Sequence, residues 1–360
     1  MTTLNNDGIQ FADGSIQSVA DRSLFVKADS STVAFTKTGA NTLSIKAKTY
    51  VNVQGIPVAF LTATNIVMPT LTAGTDYSIY ACQDGTIRAD ASATTPTGYT
   101  TVNSRKIGGF HYGLVSSGTT PAAGSFNTVT SSPLVSMVWA QSDVDAIAGI
   151  NQYSLWDVKF KPVCDAAGMV LVANRFWCDI YFTGTDHTTN GTSKYNTNIA
   201  SGTVLPKIPS MFGGNGTTTY TTFTWYEANE VAMAANKRLV SYSEFAVAAF
   251  GVTENQSIGG ASTTYPATGR SPGYTSKYGV EQATGHHWTW ADPAVGAAGA
   301  AWAAGANRGQ TYGIPYGALV GSDRDYGVMS GSRASSWSNS TWNSSWGVGL
   351  RAACNHLQLV

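Results

Sequence analysis

Residues 225–251 read WYEANEVAMAANKRLVSYSEFAVAAFG and carry the only helical pattern that we find in the chain. The apolar residues of the first half are spaced i, i+3, i+4 and i+7, which predicts an amphipathic helix: Ala228, Val231, Ala232 and Ala235. In the second half, Ser241 and Glu244 form a capping box ahead of another apolar run, and Gly251 ends that run. The stretch therefore predicts two short helices in succession.

The sequence before these helices is typical of β structure. Residues 23–115 contain short alternating runs such as LFVKA, TVAFTK and TLSIKAKTYVNV, separated by turn residues, which favours a β-sandwich. In GIQFADGSIQSV, residues 8–19, the Asp13-Gly14 pair separates two alternating runs and predicts a hairpin. A lone hairpin is marginal in water, so we expect it to pack against copies of itself.

These patterns divide the chain into three domains. We expect residues 1–22 to form a hairpin or β-prism-like element. Residues 23–150 form the β-sandwich, with a Gly-, Ser-, Thr- and Pro-rich linker or insertion near 114–135. Residues 151–360 combine strands with the two helices. The predicted fold class is mainly β with an α+β C-terminal domain.

The composition limits the classes of partner. The 360 residues have a net charge of zero and only 12% are charged, so the clustered Lys and Arg that a nucleic acid requires are absent. No apolar run approaches the length of about 18 residues that a transmembrane helix needs. The N-terminus, MTTLNNDGIQFADGS, has no signal-peptide pattern. The four cysteines are scattered, so we expect free buried thiols and no zinc site.

Residues 331–348, GSRASSWSNSTWNSSWGV, have an unusual composition for a polar segment. Ten of the eighteen residues are Ser, Thr or Asn, and three are tryptophans. Rigid aromatic anchors among small hydrogen-bonding side chains are also the chemistry of an antibody paratope. The segment therefore predicts a recognition surface, while an ordinary polar loop with three core tryptophans is the alternative that composition leaves open.

Four segments resemble, in the same order, landmarks of the formylglycine-generating-enzyme subclass of C-type-lectin folds. They are residues 225–251, GHHWTWADP at 285–293, GSRASSW at 331–337 and GLRAACNHLQLV at 349–360. Within that subclass the chain is similar to phage variable proteins that a retroelement diversifies, and the likeness covers most of residues 23–360. The first 22 residues resemble a short tail-fibre element. The resemblance implies a C-type-lectin-like domain over residues 151–360.

The resemblance also implies a function. It indicates a homotrimeric receptor-binding protein at the distal tail fibre of a virion, made in the host cytoplasm. The expected partners are a host bacterial surface protein or glycan and the phage tail fibre or baseplate proteins, without nucleic acid or membrane insertion. Two alternatives stay open, a virion-associated polysaccharide depolymerase and a purely structural fibre protein.

The family's variable region corresponds to residues of about 320–348. Alignment from the shared GSR and the C-terminal strand puts the receptor-binding, variable positions on ten residues that mutated Asn codons can encode: Asp323, Asp325, Gly327, Ser336, Ser338, Asn339, Asn343, Ser345, Gly347 and Val348. Such codons cannot encode tryptophan, so the resemblance makes Trp337, Trp342 and Trp346 fixed scaffold aromatics. A further family position falls on Met329, which those codons cannot encode either.

Other chemistry is less well supported by the residues. Cys354 stands alone near the C-terminus, and the EPN, QPD and WND motifs of calcium-dependent lectins are absent. We therefore expect no catalytic residue, metal site or cofactor, although a structural Ca²⁺ held by scattered oxygens stays open. His286 and His287 are expected to point to opposite faces of an extended chain and not to share a metal.

Two further expectations concern charged side chains. Asp323 and Asp325 have the residue types of a glycoside hydrolase pair, but carboxylates two apart on a polar loop are more often solvated or part of a binding rim. Arg333 and Arg351 are expected to make structural hydrogen bonds beneath the recognition surface.

Overall fold

The computed structural model describes residues 24–123, 126, 139–260, 266–304 and 310–358, with short strands at 3–5, 8–10 and 16–17. Side chains are described in these ranges except at 3–17, 297–304, 310–311 and 358. The described chain is mostly β, with four α-helices. No helix in these ranges is long and apolar enough to cross a membrane.

The N-terminal element is a small antiparallel sheet in the order β1-β2-β3. Its strands are β1 (Thr3–Asn5), β2 (Gly8–Gln10) and β3 (Ile16–Gln17). The pairing of β2 with β3 confirms the predicted hairpin, since Ile9 lies opposite Gln17. The Asp13-Gly14 turn lies outside the described residues, and packing against other copies stays a prediction.

The predicted strands of residues 23–115 are confirmed. They form two small sheets and the start of a large sheet, around one core. In chain order they are β4 (Phe25–Val26), β5 (Phe35–Gly39), β6 (Thr42–Ile45), β7 (Thr49–Val53), β8 (Ile56–Phe60), β9 (Thr64–Asn65), β10 (Thr75–Cys82), β11 (Ile87–Asp90) and β12 (Ser104–Tyr112). Strands β4-β7-β8 form one sheet, β5-β6-β9 a second, and β11-β10-β12 begin the large sheet. Buried side chains from all three meet in the core, among them Phe35, Val51 and Ile79.

Residues 114–150 contain packed structure that the sequence did not indicate. Val115 and Phe126 are buried against Trp139 and α1 (Gln141–Ile147), and the Phe126 and Trp139 rings lie 4.4 Å apart between centroids. The statement that only residues 225–251 are helical is therefore wrong, because a helix of 7 residues is too short to show a periodic pattern. Residues 124–125 and 127–138 lie outside the described ranges.

The helices of the C-terminal region are α2 (His187–Asn190), α3 (Trp225–Ala234) and α4 (Tyr242–Ala248). The last two confirm the predicted pair. The capping box of α4 is formed as expected, because the Ser241 hydroxyl accepts from the Glu244 backbone N–H at 3.3 Å and the Glu244 carboxylate accepts from the Ser241 N–H at 3.0 Å. Beyond α4, Gly251 has a φ of +101°, which allows the chain to turn away.

The C-terminal strands complete the large sheet. They are β13 (Trp156–Asp157), β14 (Phe160–Pro162), β15 (Met169–Val172), β16 (Phe176–Asp179), β17 (Arg238–Ser241), β18 (Trp288–Ala304), β19 (Gln310–Val320), β20 (Ser335–Ser340), β21 (Val348–Gly349) and β22 (Ala352–Gln358). The last strand, β22, pairs with β14, β16 and β17. From β17 the sheet continues through β18 and β19 to β20 at its edge.

A second apolar core fixes α3 against this sheet. Ala228, Val231 and Ala232 of α3 are buried in one cluster with Trp290 and Leu350. These helix residues are three of the four whose spacing predicted the helix, so the periodic face is the face that packs. The C-terminal strand is thereby held in the interior, and β20 is left at the periphery.

Candidate binding surface

Strand β20 carries the centre of the tryptophan-rich segment at the edge of the large sheet. Among the described strands it pairs with β19 alone, with Val320 opposite Ser335. Trp337 and Ser338 in its middle are exposed. An edge strand leaves one row of backbone N–H and C=O groups without a sheet partner. This edge can therefore offer both side chains and backbone groups to another molecule.

Hydrogen bonds join four of the predicted recognition side chains. Asn343 Nδ2 donates to Asn339 Oδ1 at 3.0 Å, and Asn339 Nδ2 donates to Ser336 Oγ at 3.1 Å. The Ser336 and Ser338 hydroxyls lie 3.3 Å apart. The structure thus brings these residues together on one surface. Their polar groups are oriented in the free protein, which lowers the entropy lost when a partner binds.

The three tryptophans differ in exposure. Trp342 and Trp346 are half-buried, whereas Trp337 is 39% exposed. The Trp337 ring packs edge-to-face on Tyr242 with centroids 6.0 Å apart, and its Nε1 donates to Ser335 Oγ at 3.1 Å. Trp337 is therefore a fixed aromatic side chain that also forms part of the outer surface.

The segment after β20 is anchored through its backbone. The Thr341 carbonyl accepts from the Trp225 N–H at 3.0 Å, and the Ser345 carbonyl accepts from the Gly202 N–H at 2.9 Å. Neither bond uses the side chain of the residue that accepts it. A half-buried position such as Ser345 can therefore change its side chain while its backbone stays in place.

The other predicted positions lie on the loop after β19. Asp325 is exposed and Gly327 is half-buried at the start of a short 3-10 turn, Gly327–Met329. Tyr326 packs edge-to-face on Trp288, with ring centroids 5.2 Å apart. Trp288 also pairs with Val348 of β21, so this loop lies beside the end of the tryptophan-rich segment.

The expectation that all ten variable positions face solvent is wrong for three of them. Asp323 is 6% exposed and Val348 is 2% exposed, and Gly347 is also buried. Val348 packs in the core with Trp290. A Cβ at Gly347 would lie 2.6 Å from Asp323 Oδ2, closer than real side chains approach, so a larger residue there would have to displace the Asp323 side chain. The two loops meet through this buried contact, which the linear alignment could not show.

We call the predicted positions that reach solvent, together with Trp337, the edge surface: Asp325, Gly327, Ser336, Trp337, Ser338, Asn339, Asn343 and Ser345. The buried Asp323 has a distinct role. Its Oδ1 accepts from the Asp325 N–H at 3.0 Å, and burial raises its pKa. A carboxylate that accepts from the backbone in this way stabilises the loop.

The two adjacent histidines lie together beneath this region, which corrects the expectation that they point to opposite faces. His286 Nδ1 and His287 Nδ1 are 2.8 Å apart, and both rings are buried. The pair precedes β18 and follows Gly285, whose φ is +62°, so the chain there is turned and the strand alternation does not apply. Burial lowers the pKa of His287 to about 3 and that of His286 well below its ordinary value. Both rings are neutral at neutral pH.

The two predicted structural arginines behave differently. Arg351 is fully buried, donates to the Asp179 carbonyl at 2.9 Å and to the Glu281 carbonyl at 2.7 Å, and thereby confirms the expectation for that residue. Arg333 is exposed, so it does not lie beneath the surface. Its carbonyl accepts from the Tyr242 hydroxyl at 3.2 Å.

A third arginine, Arg324, was given no role by the sequence reasoning. It is 1% exposed, and its carbonyl accepts from the Ser257 hydroxyl at 2.7 Å.

In the part of the chain that is described, no three His, Cys, Asp or Glu side chains are grouped so that they could hold a metal ion. The edge surface itself is made of amides, hydroxyls and one carboxylate. Such groups can recognise a protein or a glycan through hydrogen bonds, with Trp337 as an aromatic anchor.

Comparison with known proteins identifies the family. The model of the Mtd second domain matches residues 33–157. The tail fiber receptor-binding protein of Bordetella phage BPP-1 is 45% identical over 349 residues, which cover 94% of this chain and 86% of that protein. Solved structures of the Major Tropism Determinant are similar over nearly the whole chain. The M1 variant has a TM-score of 0.86 and 42% identity, and covers 100% of this chain and 95% of its own. The chain belongs to the Major Tropism Determinant family.

A second solved structure of this family, the U1 variant of the Major Tropism Determinant, has a TM-score of 0.85 and 41% identity over 99% of this chain and 95% of its own. These matches confirm the predicted fold class, mainly β with a C-type-lectin-like C-terminal domain. They also confirm the resemblance that residues 225–251 and the later landmarks indicated.

In this member of the Major Tropism Determinant family, sequence reasoning missed two exposed apolar residues beside the edge surface. Tyr326 is 44% exposed and Val328 is 74% exposed, and their neighbour Met329 is 68% exposed. The sequence did offer an indication of these exposed residues, namely large apolar side chains on a loop that contains glycine. A loop that does not reach the core leaves such side chains in solvent.

Proposed function

We propose that this protein is the receptor-binding protein of a phage tail fibre and that the edge surface contacts the host receptor. The observation that carries the proposal is the 45% identity, over 94% of the chain, to the tail fiber receptor-binding protein of Bordetella phage BPP-1. The receptor is a protein or glycan of the bacterial surface, and the tail fibre or baseplate proteins are the partners on the virion side.

The physical support lies in how the edge surface is built. Apart from Trp337 its residues are small, all of them are exposed or half-buried, and four are joined to one another by hydrogen bonds. Its backbone is held by bonds from distant segments, such as that from Gly202 to Ser345. Substitution at exposed positions typically changes stability by only about 0.5 kcal/mol. The surface can therefore change specificity without loss of the fold, which is what a retroelement-diversified protein requires.

Further parts of the proposal concern assembly and chemistry. The protein acts as a homotrimer at the distal tail fibre and binds without catalysing a reaction. It uses no cofactor, and any bound Ca²⁺ is structural.

Two methionines on the protein surface provide a matched test of this proposal. Met329 borders the edge surface and is 68% exposed, while Met211 lies elsewhere and is 67% exposed. We expect Met329→Ala to lower the adsorption of purified protein to host cells at least about fivefold, the equivalent of ~1 kcal/mol. Met211→Ala should leave adsorption unchanged, and both variants should keep the wild-type Tm.

The measurement is a pull-down of labelled protein with intact host cells. Equal adsorption by the two variants would show that the part of the surface around Met329 does not contact the receptor. Loss of adsorption in both would show a general defect. Release of oligosaccharide from host glycan by the wild-type protein would instead favour a depolymerase.

A further inference from the structure

Two cysteines that are far apart in the sequence lie beside each other in the fold. Phe160, Lys161 and Pro162 of β14 pair with Gln358, Leu357 and His356 of β22, and the Val163 N–H donates to the Asn355 carbonyl at 3.1 Å. The next residues in this register are Cys164 and Cys354. The expectation that Cys354 stands alone is therefore wrong, because antiparallel pairing joins the start of the C-terminal domain to its end.

The side-chain contacts agree with this register. Cys164 packs against the apolar cluster that contains Cys354 and Trp177. Directly opposite residues of an antiparallel pair have Cα atoms about 4.5–5.5 Å apart. That separation lies within the range of about 4.4–6.8 Å that a disulfide spans.

We propose that Cys164 and Cys354 form a disulfide bond when the protein leaves the reducing cytoplasm for an oxidising exterior. The co-reactant is a small-molecule disulfide such as oxidised glutathione. This modification is independent of receptor binding and goes beyond it. In the reducing cytoplasm both residues stay as thiols, and both are free cysteines in the structure.

The solvent exposure of the two sulfurs determines which of them reacts first with the external disulfide. Cys164 is half-buried and Cys354 is 2% exposed, so the external disulfide reaches Cys164 first. The Cys164 thiolate attacks one glutathione sulfur, and the glutathione S–S bond breaks to release one glutathione thiolate. The Cys354 thiolate then attacks the Cys164 sulfur, expels the second glutathione thiolate and forms the protein disulfide. The protein loses two electrons and two protons, and these reduce the oxidised glutathione to two molecules of glutathione.

The electrostatic surroundings favour the second step of this exchange. The pKa of the Cys354 thiol is lowered to about 7, first by its interaction with Cys164 and further by the Lys237 ammonium. The Cys354 thiolate is therefore a ready nucleophile near neutral pH. The interaction with Cys354 and burial raise the pKa of Cys164, so the first step should quicken as the pH rises.

The bond would close a loop around almost the whole C-terminal domain. It would tie the end of β14 to β22, the strand that also pairs with β16 and β17. Closing a long loop restricts the unfolded chain more than a short one. The disulfide would thus stabilise the domain outside the cell, where no chaperone can refold it.

The test begins with the full-length protein purified under reduction and then incubated with oxidised glutathione. We expect the thiols titrated after denaturation to fall from the four of the sequence to two, and a peptide that links Cys164 to Cys354 in the mass spectrum. The Tm should rise by about 5 °C on oxidation. Cys164→Ser should abolish both the cross-link and the oxidation-dependent rise in Tm.

Cys82→Ala is the control, because Cys82 is a buried free thiol at the end of β10, outside the pairing of β14 with β22. It should still lose two thiols and still gain the same rise in Tm. Four titratable thiols after oxidation, a linkage through Cys82 or Cys178, or glutathione retained on Cys164 would each overturn the proposal. The wild-type experiment alone decides the question if a variant fails to fold.

Discussion

At the scale of single residues, the variable segment contains positions of two kinds. Ser338 is exposed at the edge of the sheet, whereas Val348 is 2% exposed and packs with Trp288 and Trp290. Both residues are among those that mutated Asn codons can encode. Only their surroundings distinguish a position that can vary from one that the core requires.

A pair of identical substitutions tests this distinction. Ser338→Asp should change the free energy of unfolding by no more than about 0.5 kcal/mol, because the new carboxylate stays in water. Val348→Asp should cost about 3–5 kcal/mol, because it buries an unpaired charge. Denaturant titration of both variants measures the difference. Similar losses for the two would mean that the edge strand is packed against something in the free protein.

At the scale of elements, the two helices of residues 225–251 fix the framework of the surface. Helix α4 begins at a complete capping box and buries Phe245 and Ala248. Tyr242 at its first turn carries the ring against which Trp337 packs. The helix therefore positions the aromatic anchor of the edge strand although it contributes no predicted contact of its own.

Loss of the cap should weaken this framework. Ser241→Ala removes the hydroxyl that accepts from the Glu244 N–H, and caps of this type are worth about 1 kcal/mol. We expect a lower urea midpoint with an unchanged m-value. Ser117→Ala is the control, because Ser117 is exposed in a turn outside the helix. A midpoint for Ser241→Ala as high as that of the control would mean that the cap contributes nothing to stability.

The edge strand shows how an element acquires function from its place in a sheet. Its sequence, SSWSNS, is polar except for Trp337 and does not say which neighbours the strand will have. Among the described strands β20 pairs only with β19, which leaves its outer edge open. A strand of the same sequence inside the sheet would offer far fewer groups to a receptor.

At the scale of the whole molecule, the proposed homotrimer brings three edge surfaces to one tip. Each surface is small and made of short side chains, so a single contact binds weakly. Three linked contacts gain strength by avidity without any new interaction. The N-terminal sheet of β1-β2-β3 is itself small enough to need a partner for stability.

This arrangement predicts the mass of the protein in solution. Light scattering after size-exclusion chromatography should give about three times the chain mass of 37.8 kDa at micromolar concentration. Cell adsorption should fall steeply with dilution once the assembly dissociates, since avidity is then lost. A mass equal to one chain at all concentrations would contradict the trimer.

Much of the fold could be predicted because local rules coincide with the global structure. The spacing of Ala228, Val231 and Ala232, and the Ser241–Glu244 box, predicted α3 and α4 because local hydrogen bonds and one apolar face determine a helix. Helix α1 was missed because seven residues are too few for periodicity and its N-cap residue, Ala140, gives no capping signal, whereas Ser241 marks the start of the equally short α4. It is stabilised by tertiary contacts with Phe126 and Trp139, which no local pattern encodes.

The sequence by itself determined the fold class, the two helices and the cap of the second, the C-terminal strand and the segment that holds the candidate surface, since each depends on residue type and short-range spacing. Only the tertiary structure decided which of the ten variable positions face solvent and that Cys164 meets Cys354. The physical reason is that burial and long-range pairing depend on atoms contributed by distant parts of the chain. Val348 and Ser338 differ in their neighbours, and those neighbours come from other strands.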